Sequence, residues 1–178
     1  MPRWVRPWGG EKDEVRVVRQ DSTQIEGALS SLIRIRRAAD SDVAEVADLY
    51  WFARQAAAPA IPPPVHTREE IADWIRRGML TERRTWVATD DERVVGVLAM
   101  EDPDWIDQLY VDPAHQGGGI GTELLALALG QTGGHARAWC FQSNTAARRF
   151  YERHGFVPTT ETDGDNEEGV PDVLYERF

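Results

Sequence analysis

An apolar strand that runs through a proline-marked turn into a glycine-rich loop, and then into a long apolar helix, is the most constraining feature of the chain. It reads Leu109-Tyr110-Val111-Asp112-Pro113-Ala114-His115-Gln116-Gly117-Gly118-Gly119-Ile120-Gly121-Thr122, with the helix expected to begin near Thr122. Glycines let a backbone approach a ligand closely. A helix start adds amide N–H groups without intrahelical partners, at the positive end of the helix dipole. Together these make a phosphate cradle, so the chain is expected to hold a phosphorylated cofactor.

Spacing narrows the cofactor. A dinucleotide fingerprint needs Gly-x-Gly-x-x-Gly, but from Gly117 the third glycine falls on Thr122 and from Gly119 it falls on Leu124. A nucleotide triphosphatase loop ends in Gly-Lys-Ser or Gly-Lys-Thr, and this segment has no lysine. What fits is Gln-x-x-Gly-x-Gly, read as Gln116, Gly119 and Gly121. Preceded by Leu-Tyr-Val-Asp-Pro, it resembles the acetyl-CoA loop of the GCN5-related N-acetyltransferases (GNATs). The resemblance implies that the loop from Gln116 through Gly117, Gly118, Gly119, Ile120 and Gly121 to Thr122 binds the pyrophosphate of coenzyme A.

A second segment, Ala138 to Val157, reads as strand, helix, glycine stop and strand. Ser143 or Asn144 is the candidate N-cap, and Gly155 stands where a left-handed C-cap belongs. It is similar to the family's Asn-x-x-Ala-x-x-Phe-Tyr-x-x-x-Gly-Phe signature, at Asn144, Ala147, Phe150, Tyr151, Gly155 and Phe156. The resemblance covers roughly residues 33–178. It implies the GNAT fold, an α/β domain with a mostly antiparallel, twisted mixed sheet flanked by helices. Members of that family frequently form homodimers; no residue pattern in this chain decides the matter.

Composition sets outer bounds. With 178 residues, 42% of them apolar, and seven tryptophans, the chain has enough material for one core. A net charge of -10 argues against non-specific nucleic-acid binding, which needs a basic face. A single cysteine, Cys140 in an apolar strand, excludes an intramolecular disulfide and reads as a buried structural thiol. His66, His115, His135 and His154 form no ligand-spaced set, so no metal is expected. Neither a membrane-length apolar run nor an N-terminal signal core stands out, and a cytoplasmic location is expected.

The pattern divides into an extension, residues 1–32, and a domain, residues 33–178. The extension matches nothing in the family pattern; it carries a short potential helix from Ser22 and is compatible with a flexible leader, a strand on the core, or an upstream start codon. The domain opens with Ile33-Arg34-Ile35-Arg36 as a strand. A helix follows from Asp40-Ser41-Asp42, with Val43, Val46, Ala47, Tyr50 and Ala53 on one face. Pro59 to Pro64 ends it, and Thr67-Arg68-Glu69-Glu70 has capping-box spacing for a second helix to about Gly78. Strands are expected at Thr85–Thr89, Arg93–Met100 and Trp105–Val111, then a helix from Gly121 to about Leu129. Strand Ala136–Phe141, helix Asn144–His154, and strands around Phe156 and Asp172–Phe178 complete it.

Acetyl transfer from a thioester to an amine needs a positioned carbonyl, a neutral amine and a proton for the departing thiolate. The resemblance implies that the backbone of Leu109, Tyr110 and Val111 pairs with the pantetheine arm like an added strand. Asn144 and Tyr151 are two helical turns apart and share a helix face. The resemblance implies that this face meets the cofactor where the acetylated arm passes, which makes Tyr151 the candidate general acid and Asn144 a ligand of the arm. A phenol of pKa about 10 can protonate a thiolate of about 8.5 at modest cost while hydrogen-bonding the sulfur. For the base, the resemblance implies a carboxylate on or just before the strand that leads to the loop, and Glu101, Asp102, Asp104 and Asp107 fall in that region. Asp107 comes first, because alternation puts it on the face of Trp105, Leu109 and Val111, an odd place for a charge without a task or partner.

The expected acceptor is a primary amine of a small molecule or a peptide, with neither nucleic acid nor membrane as partner. His66, the loop from Ala56 and Tyr50-Trp51-Phe52 are candidates for its wall. The acidic run Glu161 to Glu168 is expected as a solvated loop, with attraction of a cationic amine as the alternative. The competing reading keeps fold and cofactor but makes the chain a non-catalytic acyl-CoA sensor. Tyr151 argues against it, since a binder needs no acid beside the sulfur.

Overall fold

The computed structural model describes residues 16–19 and 32–178. Among them, one eight-stranded sheet runs through β1 (Arg16–Arg19), β2 (Leu32–Arg37), β3 (Arg84–Asp90), β4 (Arg93–Glu101), β5 (Trp105–Val111), β6 (Ala136–Phe141), β7 (Val157–Thr162) and β8 (Asp172–Arg177). Its order is β1-β2-β3-β4-β5-β6-β8-β7. Every neighbouring pair is antiparallel except β5–β6. This is the mostly antiparallel mixed sheet that the motifs implied. Within the extension, β1 pairs with β2, Arg16 opposite Ile35 and Arg19 opposite Leu32. The helix expected from Ser22 lies outside the described residues.

Helices cover both faces. On one, α1 (Val43–Ala56) and α2 (Arg68–Trp74) bury Val43, Val46, Ala47 and Ile71 against Val87, Val94, Val97 and Ala99. On the other, α4 (Ile120–Gln131) and α5 (Thr145–Arg153) join Leu98, Met100, Ile106, Phe156 and Tyr175 in a second cluster; α3 (Leu80–Glu82) is a single turn. The central strand β4 is therefore buried on both sides, which accounts for its unbroken Val-Val-Gly-Val-Leu-Ala-Met run. Gly96 lets α4 seat closely: a Cβ there would lie 3.1 Å from both Ile120 and Leu124 side-chain carbons.

Local signals hold where chemistry is local. The Thr67 hydroxyl accepts from the Glu70 amide at 3.2 Å while Glu70 accepts from the Thr67 amide at 2.8 Å, closing the capping box. Asp91 and Glu92 take the left-handed conformation, at φ 43° and 74°, that a tight two-residue hairpin needs. The expected helix end near Gly78 is overridden. The chain passes through a π-helical turn, Ile75–Met79, and on into α3. Ile75 and Met79 are 0% and 1% exposed, so core packing carries the backbone past a weak stop signal.

Candidate active site

The parallel pair β5–β6 touches at a single register point, Trp105 opposite Arg137. Three contacts close this corner: Arg137 N–H donates to Asp104 C=O at 2.9 Å, its guanidinium pairs with the Asp104 carboxylate at 2.6 Å, and it lies 4.3 Å from the Trp105 ring centroid. Beyond it the strands part, and a cavity of about 1140 Å³ occupies the wedge. That exceeds the 300–1,000 Å³ typical of a small-molecule site, enough for a cofactor arm and an acceptor together. The Asp112 amide still bonds back to Val95 C=O at 2.9 Å. Alternation then turns the N–H and C=O groups of Leu109 and Val111 toward the open edge, where a ligand amide can pair with them. Gln116 Nε2 donates to Val111 C=O at 3.1 Å, tying the loop to the end of that edge.

The loop itself is shaped by backbone that only glycine adopts cheaply. Gly117 and Gly119 have φ of +79° and +88°, and a Cβ on either would meet nothing within 4 Å, so their faces are open. Gly119 is the N-cap of α4 and offers no side-chain cap, which leaves the first amides of the helix, Ile120, Gly121 and Thr122, for a ligand. Gln116, Gly117, Gly119, Ile120, Gly121 and Thr122 line the cavity, whereas Gly118 stands outside its wall. Ile120 is 1% exposed and its side chain belongs to the core, so only its backbone faces the cradle. Open glycine faces, free helix amides and an unpaired strand edge suit a pyrophosphate on a pantetheine-like arm.

Helix α5 forms the opposite wall. Asn144 is its N-cap: Oδ1 accepts from the Ala147 amide at 3.1 Å, leaving the Nδ2 donor free. The other candidate cap, Ser143, instead donates its hydroxyl to Ala60 C=O at 2.8 Å. Seven positions on, Tyr151 is 7% exposed, with its ring centroid 5.5 Å from Phe150, 5.2 Å from Phe156 and 5.9 Å from Tyr175. It lines the cavity, its hydroxyl makes no hydrogen bond among the described residues, and burial pushes its pKa well up. Cys140 lies nearby in the same wall, its thiol pushed up to about 12 by burial, so it stays protonated.

Of the four carboxylates near β5, only Asp107 lines the cavity. Asp102 pairs with Arg84 at 2.8 Å, Asp104 closes the corner with Arg137, and Glu101 lies 3.6 Å from Arg83. Asp107 Oδ2 is 2.7 Å from Arg83 Nε, and burial raises its pKa while Arg83 opposes the shift. Simple alternation does not fix its face, because the register steps over it: Ala99 faces Gln108 and Met100 faces Ile106. Hence Ile106 shares the core with Leu109 and Val111 despite the odd spacing.

The remaining end of the cavity was under-read from sequence. The run Glu161–Glu168 is not simply solvated, for Asn166, Glu167 and Glu168 reach the wall. Glu168, only 12% exposed at its side chain, pairs with Arg54 at 2.6 Å, and His66 Nε2 lies 2.5 Å from Glu167 Oε1. Arg54 itself is 4% exposed. Its signal was available, since Tyr50 and Arg54 are one helical turn apart on an otherwise apolar face, an arginine with no reason to be there unless paired. Among the described residues no three His, Cys, Asp or Glu side chains group as a metal site, and no helix is long and apolar enough to cross a membrane.

Comparison with known proteins bears on the fold and the family. Residues 81–158 match the family model described as an acetyltransferase (GNAT) domain. Mycothiol acetyltransferase of Rhodococcus jostii is 35% identical over 82 residues, 44% of this chain and 27% of the relative. The match thus spans about a quarter of that protein's length. In structure, apo YjaB from Escherichia coli superposes with a TM-score of 0.66 at 25% identity, covering 81% of this chain and 96% of that one. The PaiA N-acetyltransferase of Thermoplasma acidophilum, solved with coenzyme A, gives 0.64 at 20% identity over 82% and 99%. Residues 81–158 therefore match a GNAT acetyltransferase domain, within a chain whose described fold is the fold of these neighbours.

Proposed function

We propose that the protein is an N-acetyltransferase that moves an acetyl group from acetyl-CoA to a primary amine of a small molecule or peptide, by direct attack in a ternary complex. The observation that carries this is Tyr151: a buried phenol without a hydrogen-bond partner among the described residues, on the same cavity as the glycine loop and the open edge of β5. Acetyl-CoA supplies the activated carbonyl and the thiolate leaving group. The amides of the Gly117–Thr122 loop hold its phosphates, and Leu109 and Val111 align its arm so that the carbonyl is presented at a fixed depth. Asn144 Nδ2 donates to the arm from the far wall. Asp107 accepts the amine proton, directly or through a water, and its burial-raised pKa narrows the gap to the amine. Tyr151 donates to the departing sulfur: burial raises its pKa, so it meets the thiolate as a protonated hydrogen-bond donor, and the full proton transfer is helped by the same dry surroundings, which raise the basicity of the sulfur too.

Calorimetric titration with acetyl-CoA, flanked by NADH and ATP, tests the cofactor. Free-thiol release in the presence of amines then tests the chemistry. Selective acetyl-CoA binding with amine-dependent thiol release supports the enzyme. Binding without release for any amine would favour the sensor. Binding of NADH or ATP instead would return the loop to a generic phosphate site.

A further inference from the structure

Arg54 is a cation buried to 4% exposure on α1, and none of its hydrogen bonds or ring contacts reaches the phosphate loop. Every contact it makes fastens the same end of the cavity. Nη2 pairs with Glu168 at 2.6 Å and donates to Pro62 C=O at 3.0 Å; Nη1 donates to the Tyr50 hydroxyl at 2.7 Å. The guanidinium also lies 5.8 Å from the Phe141 ring centroid on β6. Tyr50 in turn meets Tyr110 of β5 edge-on, at 5.1 Å between centroids. One side chain thus joins α1, the loop after it, β6 and the β7–β8 loop. The Gln142 amide already bonds Pro171 C=O at 3.0 Å and ties β6 to the end of that loop, but among the described residues no backbone hydrogen bond ties the loop to α1.

Resting on the acetyltransferase reading above, we infer that Arg54 is a positioning residue for the acceptor: it fastens the β7–β8 loop, residues 163–171, across the cavity end opposite the phosphate cradle. A buried cation is stable only if its donors are met, and among the described residues Glu168 is the carboxylate that meets them. The loop is therefore tied in one place by charge rather than by apolar burial. The second tie, His66 to Glu167, is exposed and weaker. None of these contacts touches the glycine loop, α5 or the open edge groups of Leu109 and Val111. Tyr110, expected to pair with the arm but reached here through Tyr50, turns its backbone toward β4 instead, so loss of Arg54 disturbs how the acceptor is enclosed and leaves the donor edge in place.

The test uses the full chain as wild type, Arg54→Met, Arg54→Lys and Glu168→Gln. The readouts are hydrogen exchange of residues 163–171, calorimetric acetyl-CoA affinity, and kinetics with 1,4-diaminobutane, tyramine and the dipeptide Ala-Ala as acceptor probes. Expected are exchange at 163–171 faster by about tenfold in Arg54→Met and Glu168→Gln, and acceptor KM raised by about tenfold with kcat held within about threefold. Acetyl-CoA affinity should not move. Arg54→Lys, which keeps the charge but loses the planar fork, should fall between. Unchanged exchange at 163–171, or acetyl-CoA affinity lost as much as acceptor affinity, overturns the inference. Glu168→Gln decides the matter should Arg54→Met fail to fold. Wild type that neither binds acetyl-CoA nor acetylates any probe sinks the acetyltransferase reading instead, while the exchange data still report on the fastening.

Discussion

Replacing Tyr151 by Phe removes one oxygen and keeps the ring. The ring carries the packing: Phe150, Phe156 and Tyr175 surround it, and none of them needs the hydroxyl. That hydroxyl has no partner among the described residues, so no hydrogen bond is broken. Removing an unpaired polar group from a buried site is neutral to stabilising, between zero and about 1 kcal/mol. In a chain of this length that shifts Tm upward by at most about 3 °C. Catalysis should respond in the opposite direction. Loss of a positioned general acid costs about 100-fold or more in kcat, or roughly 3 kcal/mol of barrier. Affinity for acetyl-CoA should stay within about threefold, because the loop amides and the β5 edge are untouched. Calorimetry, thermal unfolding and initial-rate thiol release on one preparation read all three quantities. A variant that keeps kcat within about threefold refutes the acid role. A Tm lower by more than about 5 °C would show that the hydroxyl is structural. Because burial raises the Tyr151 pKa, the phenol stays protonated through neutral and mildly alkaline pH, so the wild type should show no activity loss there from this group.

Three further outcomes follow from the site. Gly119→Asp puts a side chain on a residue at φ +88° and a negative charge in the phosphate cradle; acetyl-CoA affinity should fall by about 100-fold or more, and undiminished binding would move the phosphates elsewhere. Asp107→Asn should lower kcat/KM and flatten the acidic limb of its pH profile. A carboxylate with a burial-raised pKa is lost as a base when pH falls through that pKa, and a limb that survives the substitution assigns the base to another group. Asn144→Asp keeps an oxygen to cap α5 but loses the amide donor, so Tm should hold while acetyl-CoA binding weakens; Asn144→Ala should lose both, with about 1 kcal/mol of stability gone. Equal affinity for acetyl-CoA in wild type and Asn144→Asp would leave Asn144 as a cap alone.

What the sequence determined by itself was whatever depends on neighbours along the chain. The capping box at Thr67, the left-handed Gly155 and the span of β5 are set by dihedral preference and short hydrogen bonds, and they stand where the pattern put them. The glycine loop and the Asn144–Tyr151 face were legible for the same reason, as spacing along one strand–loop–helix unit and one helix. Tertiary structure decided everything that depends on segments far apart in sequence. Ile75 and Met79 could carry a helix past Gly78 only because a core received them. The register step at Asp107 depends on the pairing of β5 with β4, on a strand that meets β6 at only one register point on its other side. The meeting of Arg54 with Glu168 joins residues 114 positions apart, and no local preference encodes such a distance. Only the folded chain brings a buried cation to its counter-charge, because the cost of burying either one alone is recovered only when both arrive at the same place.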